Sequence, residues 1–242
     1  MKIIFSHSTT PSFNLAAEEY LFNARNSECL LLYINEPSVI IGSNQAVVNE
    51  VDMDFCIDRD IRIIRRMSGG GAVYHDVGNI NFTFIREKRD DALGSAFLQP
   101  VVEVLTSMGI PAEIGKRKDL WLDGYKITGT AAHISRGWQL HHGTLLYDSE
   151  TEVLQKALSP ERRDFVQKAT ASVVSPVRNI RDYLIEKNGI APNRDDFFDL
   201  LSIRFMEHFD VDRLSAFTDE EVEAISALQM EKYRVREWNY KK

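Results

Sequence analysis

Arg65-Arg66-Met67-Ser68-Gly69-Gly70-Gly71-Ala72-Val73-Tyr74-His75-Asp76 is the stretch from which this chain is best read. Three successive glycines admit positive φ and remove side chains, so backbone N–H groups can approach a ligand closely. Oxyanions of a phosphate or carboxylate are the natural occupants of such a bend. The preceding arginines add charge-assisted donors. A tight turn between two core strands would use the same glycines, and both readings stand at this point. Residues 61–66 look like the strand entering the bend and 81–85 like the strand leaving it. No Gly-Lys-Ser/Thr follows, and no G-x-G-x-x-G opens a helix, so nucleotide binding by those two folds is disfavoured.

Upstream, residues 1–5 read as a short strand. Residues 13–23 place Leu15, Ala16, Glu19, Tyr20 and Phe22 at helical spacing behind the cap residues Thr9-Thr10-Pro11-Ser12. The runs 29–34 and 38–41, split by Asn35-Glu36-Pro37, predict a hairpin. Downstream, an apolar stripe over 93–108 predicts a helix that stops at Gly109-Ile110-Pro111. Strand signals return over 119–122, 125–131 and 139–147, with turns at Asp123-Gly124 and Arg136-Gly137. Helices are predicted over 152–157, 180–187, 194–209 and 218–233. The sum is an α+β fold, a mixed or antiparallel β-sheet packed with helices, and not a regular βαβ alternation.

Two further constellations carry chemistry. If 125–131 is one strand, Lys126, Thr128 and Thr130 alternate onto one face, so an ammonium and two hydroxyls would line a polar pocket. An exposed strand lysine would fit the same pattern. In His141-His142-Gly143-Thr144, adjacent histidines point to opposite faces and are poorly placed to share a metal ion. One is expected to pack internally and the other, on the face of Thr144, to support a site.

Bulk properties bound these readings. A chain of 242 residues, 44% hydrophobic and 27% charged, suits one ordinary folded domain, taken here as 1–242. Its net charge of −7 argues against sequence-independent nucleic-acid binding. The basic cluster Lys116-Arg117-Lys118 reads equally as a solvated loop or a phosphate-facing patch. Two cysteines, Cys29 and Cys56, without C-x-x-C spacing, fit a reducing cytoplasm. No membrane span or secretion signal is expected.

Taken in this order and spacing, these elements resemble the lipoate–protein ligase A family, within the biotin/lipoate ligase superfamily of class II synthetase-like catalytic domains. Phe13-Asn14-Leu15-Ala16, the Arg65–Asp76 stretch with Gly78-Asn79, Asp123-Gly124-x-Lys126-x-x-Gly129-Thr130-Ala131 and His141-His142-Gly143-Thr144-Leu145-Leu146 all match. Ser172-Val173, Val177-Arg178-Asn179 and Trp238-Asn239 extend the likeness. The resemblance implies ATP-dependent adenylation of lipoate and transfer of the lipoyl group to an acceptor lysine. It makes Lys126 the catalytic lysine. Arg66, Ser68, Gly69, Gly70, Gly71, Tyr74 and His75 would bind the substrate. Gly71, Val73, Asn79, Lys126, Thr130, Ala131 and Thr144 would lie near the nucleotide, and Asp119 would be the carboxylate for Mg2+. Acceptors would be the lipoyl domain of an α-keto acid dehydrogenase E2 subunit or the glycine cleavage H protein.

Two departures from the family pattern follow. Gly115-Lys116-Arg117-Lys118-Asp119 places Lys118 where the family reads asparagine in Gly-Arg-Asn-Asp. The small C-terminal accessory domain of full-length members is not evident, which admits a separate accessory subunit or a lipoyltransferase using preformed lipoyl-adenylate. An octanoyltransferase would need a thiol nucleophile in the central or later chain, and no cysteine follows Cys56. A non-catalytic binder of lipoyl groups or nucleotides is the alternative outside enzymes.

Overall fold

The computed structural model describes residues 1–89, 94–160, 172–173 and 175–241. In chain order the elements are β1 (Lys2–Phe5), α1 (Pro11–Ala24), β2 (Cys29–Ile34), β3 (Ser38–Ile41), α2 (Val47–Glu50), α3 (Met53–Asp58), β4 (Arg62–Arg65), β5 (Val73–His75) and β6 (Asn79–Glu87). There follow α4 (Gln99–Ser107), β7 (Glu113–Ile114), β8 (Leu120–Leu122), β9 (Tyr125–Lys126), β10 (Thr130–Ser135) and β11 (Trp138–Leu146). The helices α5 (Thr151–Ala157), α6 (Ile180–Asn188), α7 (Arg194–Phe209), α8 (Asp219–Leu228) and α9 (Arg236–Asn239) complete the chain.

β6 explains the architecture. Its sequence NINFTFIRE alternates, and cross-strand register carries each face across the sheet β1-β2-β6-β11-β10. Ile80 aligns with Ile34 and Leu145, Phe82 with Leu32 and Phe84 with Leu30 on an apolar face. α4, α6 and α7 bury it with Val101, Leu105, Ile180, Leu184, Leu201 and Phe205. The opposite face is polar: Asn81 stands between Tyr33 and Thr144, and Thr83 between Leu31 and His142. It too is buried, beneath α1 and the sheet β4-β3-β5. α2, α3 and α5 cover the outer face of that second sheet. A polar sheet face is thus sealed between two layers, where every group needs a partner from protein or ligand.

The fold is the α+β arrangement expected, with β1–β2 and β3–β4 the parallel strand pairs among the described residues. Three local expectations are corrected. β2 and β3 have the predicted extents but form no hairpin, because β2 pairs with β6 while β3 pairs with β4 and β5. Asn35-Glu36-Pro37 is a crossing between sheets, anchored by the buried Asn35 side chain. Residues 125–131 are two strands in different sheets, β9 against β8 and β10 against β11. The break at Ile127 to Gly129 brings the glycine within 2.9 Å, measured from a notional Cβ, of Val73 Cγ1, an approach a side chain would block. Finally, the predicted helix over 93–108 is a 3₁₀ turn at Ala96–Leu98 leading into α4, and Leu93 lies outside the described residues.

Both two-residue hairpin turns form as predicted. Asp123-Gly124 and Arg136-Gly137 adopt positive φ at both positions, between 51° and 79°, the twist-matching turn that joins β8 to β9 and β10 to β11. Among the described residues no helix is long and apolar enough to cross a membrane.

Candidate functional site

Two neighbouring cavities that share walls lie at the meeting of the sheets. A narrow slot of about 30 Å³ runs between them, lined by Leu15, Tyr33, Ile40, Arg66, His75 and Asn81 among others. A wider cavity of about 470 Å³ is lined by Ala72, Tyr74, Lys126, Thr128, Leu146 and the described residues of 172–177. Val73, Gly129 and Thr144 wall both.

The glycine bend is held from within. The Arg66 guanidinium donates to the carbonyls of Gly69 (2.7 Å) and Gly71 (2.7 Å), to Ile40 (2.9 Å) and to Ser68 Oγ (3.0 Å). Ser68 Oγ in turn meets His142 Nε2 at 2.7 Å, and His142 Nδ1 meets the Glu18 carboxylate at 2.9 and 3.0 Å. Tyr33 and Thr83 hydroxyls also donate to Glu18. Burial pushes the Glu18 carboxyl up, but the His142 charge and these hydrogen bonds outweigh it and hold Glu18 below the usual range. Burial brings Arg66 down to about 10, opposed by Glu18 and Tyr33. Gly70, at φ +88°, makes the turn that this clamp requires.

Lys126 sits across the wider cavity. Its Nζ lies 3.5 Å from Asp119 Oδ2, while Asp119 Oδ1 accepts from Trp121 Nε1 at 2.9 Å. Burial lowers the Lys126 ammonium below an ordinary lysine; Asp119 opposes this and Arg117 reinforces it. The strand is pinned by Lys126 N donating to Pro176 O (2.9 Å) and Arg178 N donating to Lys126 O (3.3 Å). The same segment reaches the glycine bend, where Ala72 N donates to Ser172 Oγ at 2.9 Å. A short strap therefore touches both halves of the site.

The predicted residues divide by place. Arg66, Val73, His75, Thr130, Ala131 and Thr144 line the slot; Val73, Tyr74, Lys126 and Thr144 line the wide cavity. Ser68, Gly69, Gly70 and Gly71 form the clamped bend behind these walls. Asn79 lines neither cavity and instead donates to Asn81 Oδ1 at 3.0 Å. The paired histidines separate as expected: His141 stacks on Phe97 in the core, 4.2 Å between centroids, and His142 joins the Glu18 network. Asp119 stands alone as a carboxylate, since no group of three metal-ligating side chains gathers among the described residues. Sequence reasoning missed Glu18, Asn35 and Asn81. The available signal was Asn14 and Glu18 one helical turn apart, a polar pair on the buried side of α1.

His75 carries a measurable signature. Burial, with Arg66 and His142 adding positive charge, pulls it from 6.5 to about 3. An unfolded chain therefore takes up a proton that the folded one refuses between these values. Its stabilising contribution is complete above pH 6.5 and is lost as pH falls toward 3. His75→Phe is expected to flatten this acid limb in urea unfolding compared at about pH 7 and about pH 5. An unchanged limb would assign the acid sensitivity to other groups.

Comparison with known proteins supplies the rest. The lipoyl protein ligase A/B catalytic-domain model matches residues 10–201. Lipoate-protein ligase LplJ of Bacillus subtilis is 35% identical over 236 residues, 95% of this chain and 70% of its own length. A bi-partite lipoate protein ligase of Thermoplasma acidophilum, studied with its E2 lipoyl domain, superposes with a TM-score of 0.82 at 26% identity, covering 99% of this chain and 95% of that one. A lipoate-protein ligase A bound with ATP gives 0.82 at 26% identity, over 99% of this chain and 98% of its own.

Proposed function

The chain belongs to the lipoyl protein ligase A/B catalytic-domain family, and on that footing we propose that it adenylates lipoate and passes the lipoyl group to a lysine of an acceptor lipoyl domain. The observation that carries this reading is a buried slot that shares the walls Val73, Gly129 and Thr144 with a wider cavity lined by Lys126. The activated head fits the cavity, and the acyl tail enters the slot once its walls part. With about 30 Å³ free, the slot holds a water molecule or two but no extended acyl chain, so its walls part on binding.

In the first step a lipoate carboxylate oxygen attacks the α-phosphorus of ATP, and the bond to the bridging oxygen breaks to release pyrophosphate. In the second the acceptor ε-amine attacks the acyl carbon, the C–O bond to AMP breaks, and the amine proton leaves to solvent. Lys126 neutralises charge on the α-phosphate in the first step and on the carbonyl oxygen in the second. Closed walls keep water from the mixed anhydride. Mg2+ fits Asp119, whose Oδ2 bears only the contact to Lys126, because this ion commonly takes one protein carboxylate plus phosphate oxygens. When bound it supplies charge neutralisation on the polyphosphate.

No protein nucleophile enters. Both cysteines are buried, and burial pushes Cys29 up to about 12 and Cys56 up to about 11, leaving no thiolate near neutrality. Cys29→Ser and Cys56→Ser are expected to keep lipoylation activity. Loss in the folded double variant, read by the same assay, would revive a thioester route.

Lys118, standing where the family reads asparagine, favours a second reading in which only transfer from preformed lipoyl-adenylate occurs, or a separate accessory subunit completes activation. Mass spectrometry of an apo lipoyl domain after incubation with lipoate, ATP and Mg2+ tests both. A lipoyl mass increment supports the ligase; modification only from supplied lipoyl-adenylate supports transfer alone. No modification under either condition overturns both. The glycine cleavage H protein is the parallel acceptor to try.

A further inference from the structure

Resting on the lipoate reading, we infer that His75 reads the far end of the acyl chain, donating its Nε2–H to a dithiolane sulfur and so selecting lipoate over an unsubstituted acid of the same length. The argument begins with a run of side-chain amides that fixes where the imidazole proton sits. Asn14 Nδ2 donates to Ser8 O at 2.8 Å and Ile34 O at 3.3 Å, and Ser6 Oγ donates to Asn14 Oδ1 at 2.6 Å. That settles the orientation of Asn14. Its Nδ2 also donates to Asn35 Oδ1 at 2.8 Å, which turns Asn35 Nδ2 toward His75 Nδ1 at 3.0 Å. Nδ1 must therefore accept, and the proton resides on Nε2.

Nε2 finds no acceptor among the described residues, although His75 is only 4% exposed and lines the slot. Leaving a buried donor unmatched is costly, so the cost is recovered when a ligand brings an acceptor. The carboxylate end of the substrate is not that acceptor. Lys126 lines the wide cavity and not the slot, His75 lines the slot and not the wide cavity, and the walls they share are Val73, Gly129 and Thr144. An acid with its head at Lys126 carries its tail toward His75. Sulfur is a weak acceptor, but it is the acceptor that distinguishes this tail from a plain alkyl chain. Arg66, on the same wall, spends its donors on backbone carbonyls and Ser68 and does not compete.

Calorimetric titration of the folded protein with lipoate and with octanoate tests the inference. Wild-type protein is expected to prefer lipoate by about tenfold, the scale set by one buried donor left without its partner. His75→Phe should bring the affinity ratio close to one, and His75→Gln, which keeps an N–H near the same reach, should restore most of it. An unchanged ratio in His75→Phe, or parallel loss of both acids, overturns the inference and places His75 in packing or at the head group. Should the variants fail to fold, histidine ¹⁵N spectra of the wild-type protein decide: the His75 Nε2 signal should shift with lipoate more than with octanoate, and equal shifts overturn it. Continued lipoyl-domain modification with an unchanged ratio removes this inference alone. A folded wild-type protein that binds neither acid removes the lipoate reading as well.

Discussion

Lys126→Ala is expected to lower the rate of lipoyl-adenylate formation by about a hundredfold to a thousandfold, the usual effect of deleting one positioned donor at developing negative charge. Folding should survive, because the lysine side chain is partly solvated and Asp119 keeps its hydrogen bond from Trp121. Pyrophosphate release measures the first step, and discharge of supplied lipoyl-adenylate onto an acceptor domain measures the second. Both should fall, since the proposed mechanism sets the one ammonium against the acyl-phosphate in each step. Because burial lowers the Lys126 ammonium, the alkaline decline of the wild-type rate should begin below the ordinary lysine value of 10.5. A variant that turns over like wild type would end the proposed role.

Arg65→Leu should produce the largest loss of stability, on the order of 4 kcal/mol, from several charge-assisted hydrogen bonds removed together. The Arg65 side chain is fully buried, and among the described residues no carboxylate is paired with it. Carbonyl oxygens hold it: Gly42 at 2.8 Å, Gln45 at 2.7 Å, Trp238 at 3.0 Å, Asn239 at 3.1 Å and Lys241 at 2.9 Å. The backbone of the same residue is bound as well, its N–H to Asn239 Oδ1 and its carbonyl to Trp238 Nε1. Leucine would fill much of the volume while stranding those acceptors. The urea midpoint should drop, and limited proteolysis should first cut at the end of the chain. Arg65→Lys, with a charge but without the fork, should fall between. Equal midpoints for all three proteins would mean that the carbonyls are satisfied some other way.

How much of this was readable from residues alone depends on the range of the contacts. Turn chemistry is local, so Asp123-Gly124 and Arg136-Gly137 revealed their hairpins, and Asn193 and Thr218 start α7 and α8 with the side-chain caps their types favour. The glycine bend and Lys126 were also legible, because each motif combines a permissive backbone with a charge in a few adjacent positions. Partner choice between strands was not. Ser38 to Ile41 is buried on both faces, so its alternation carried no information about which sheet it joins. Glu18 was hidden for a related reason. An acid on a helix reads as solvent-facing, and the groups that draw it inward, Tyr33, Thr83 and His142, lie 15, 65 and 124 positions away. The polar face of β6 has the alternation of an ordinary outward-facing strand, yet a second sheet covers it.

The clasp on Arg65 also bears on how the protein is made. Synthesis proceeds from the first residue, and most of the sheet residues leave the ribosome well before positions 238–241 do. Until those carbonyls emerge, the guanidinium beside the glycine bend has, among the described residues, the acceptors of residues 42–45. A nascent chain stalled short of this point holds an unsated cation beside the glycine bend. Completion of the site is thereby deferred until residues 238–241 have emerged.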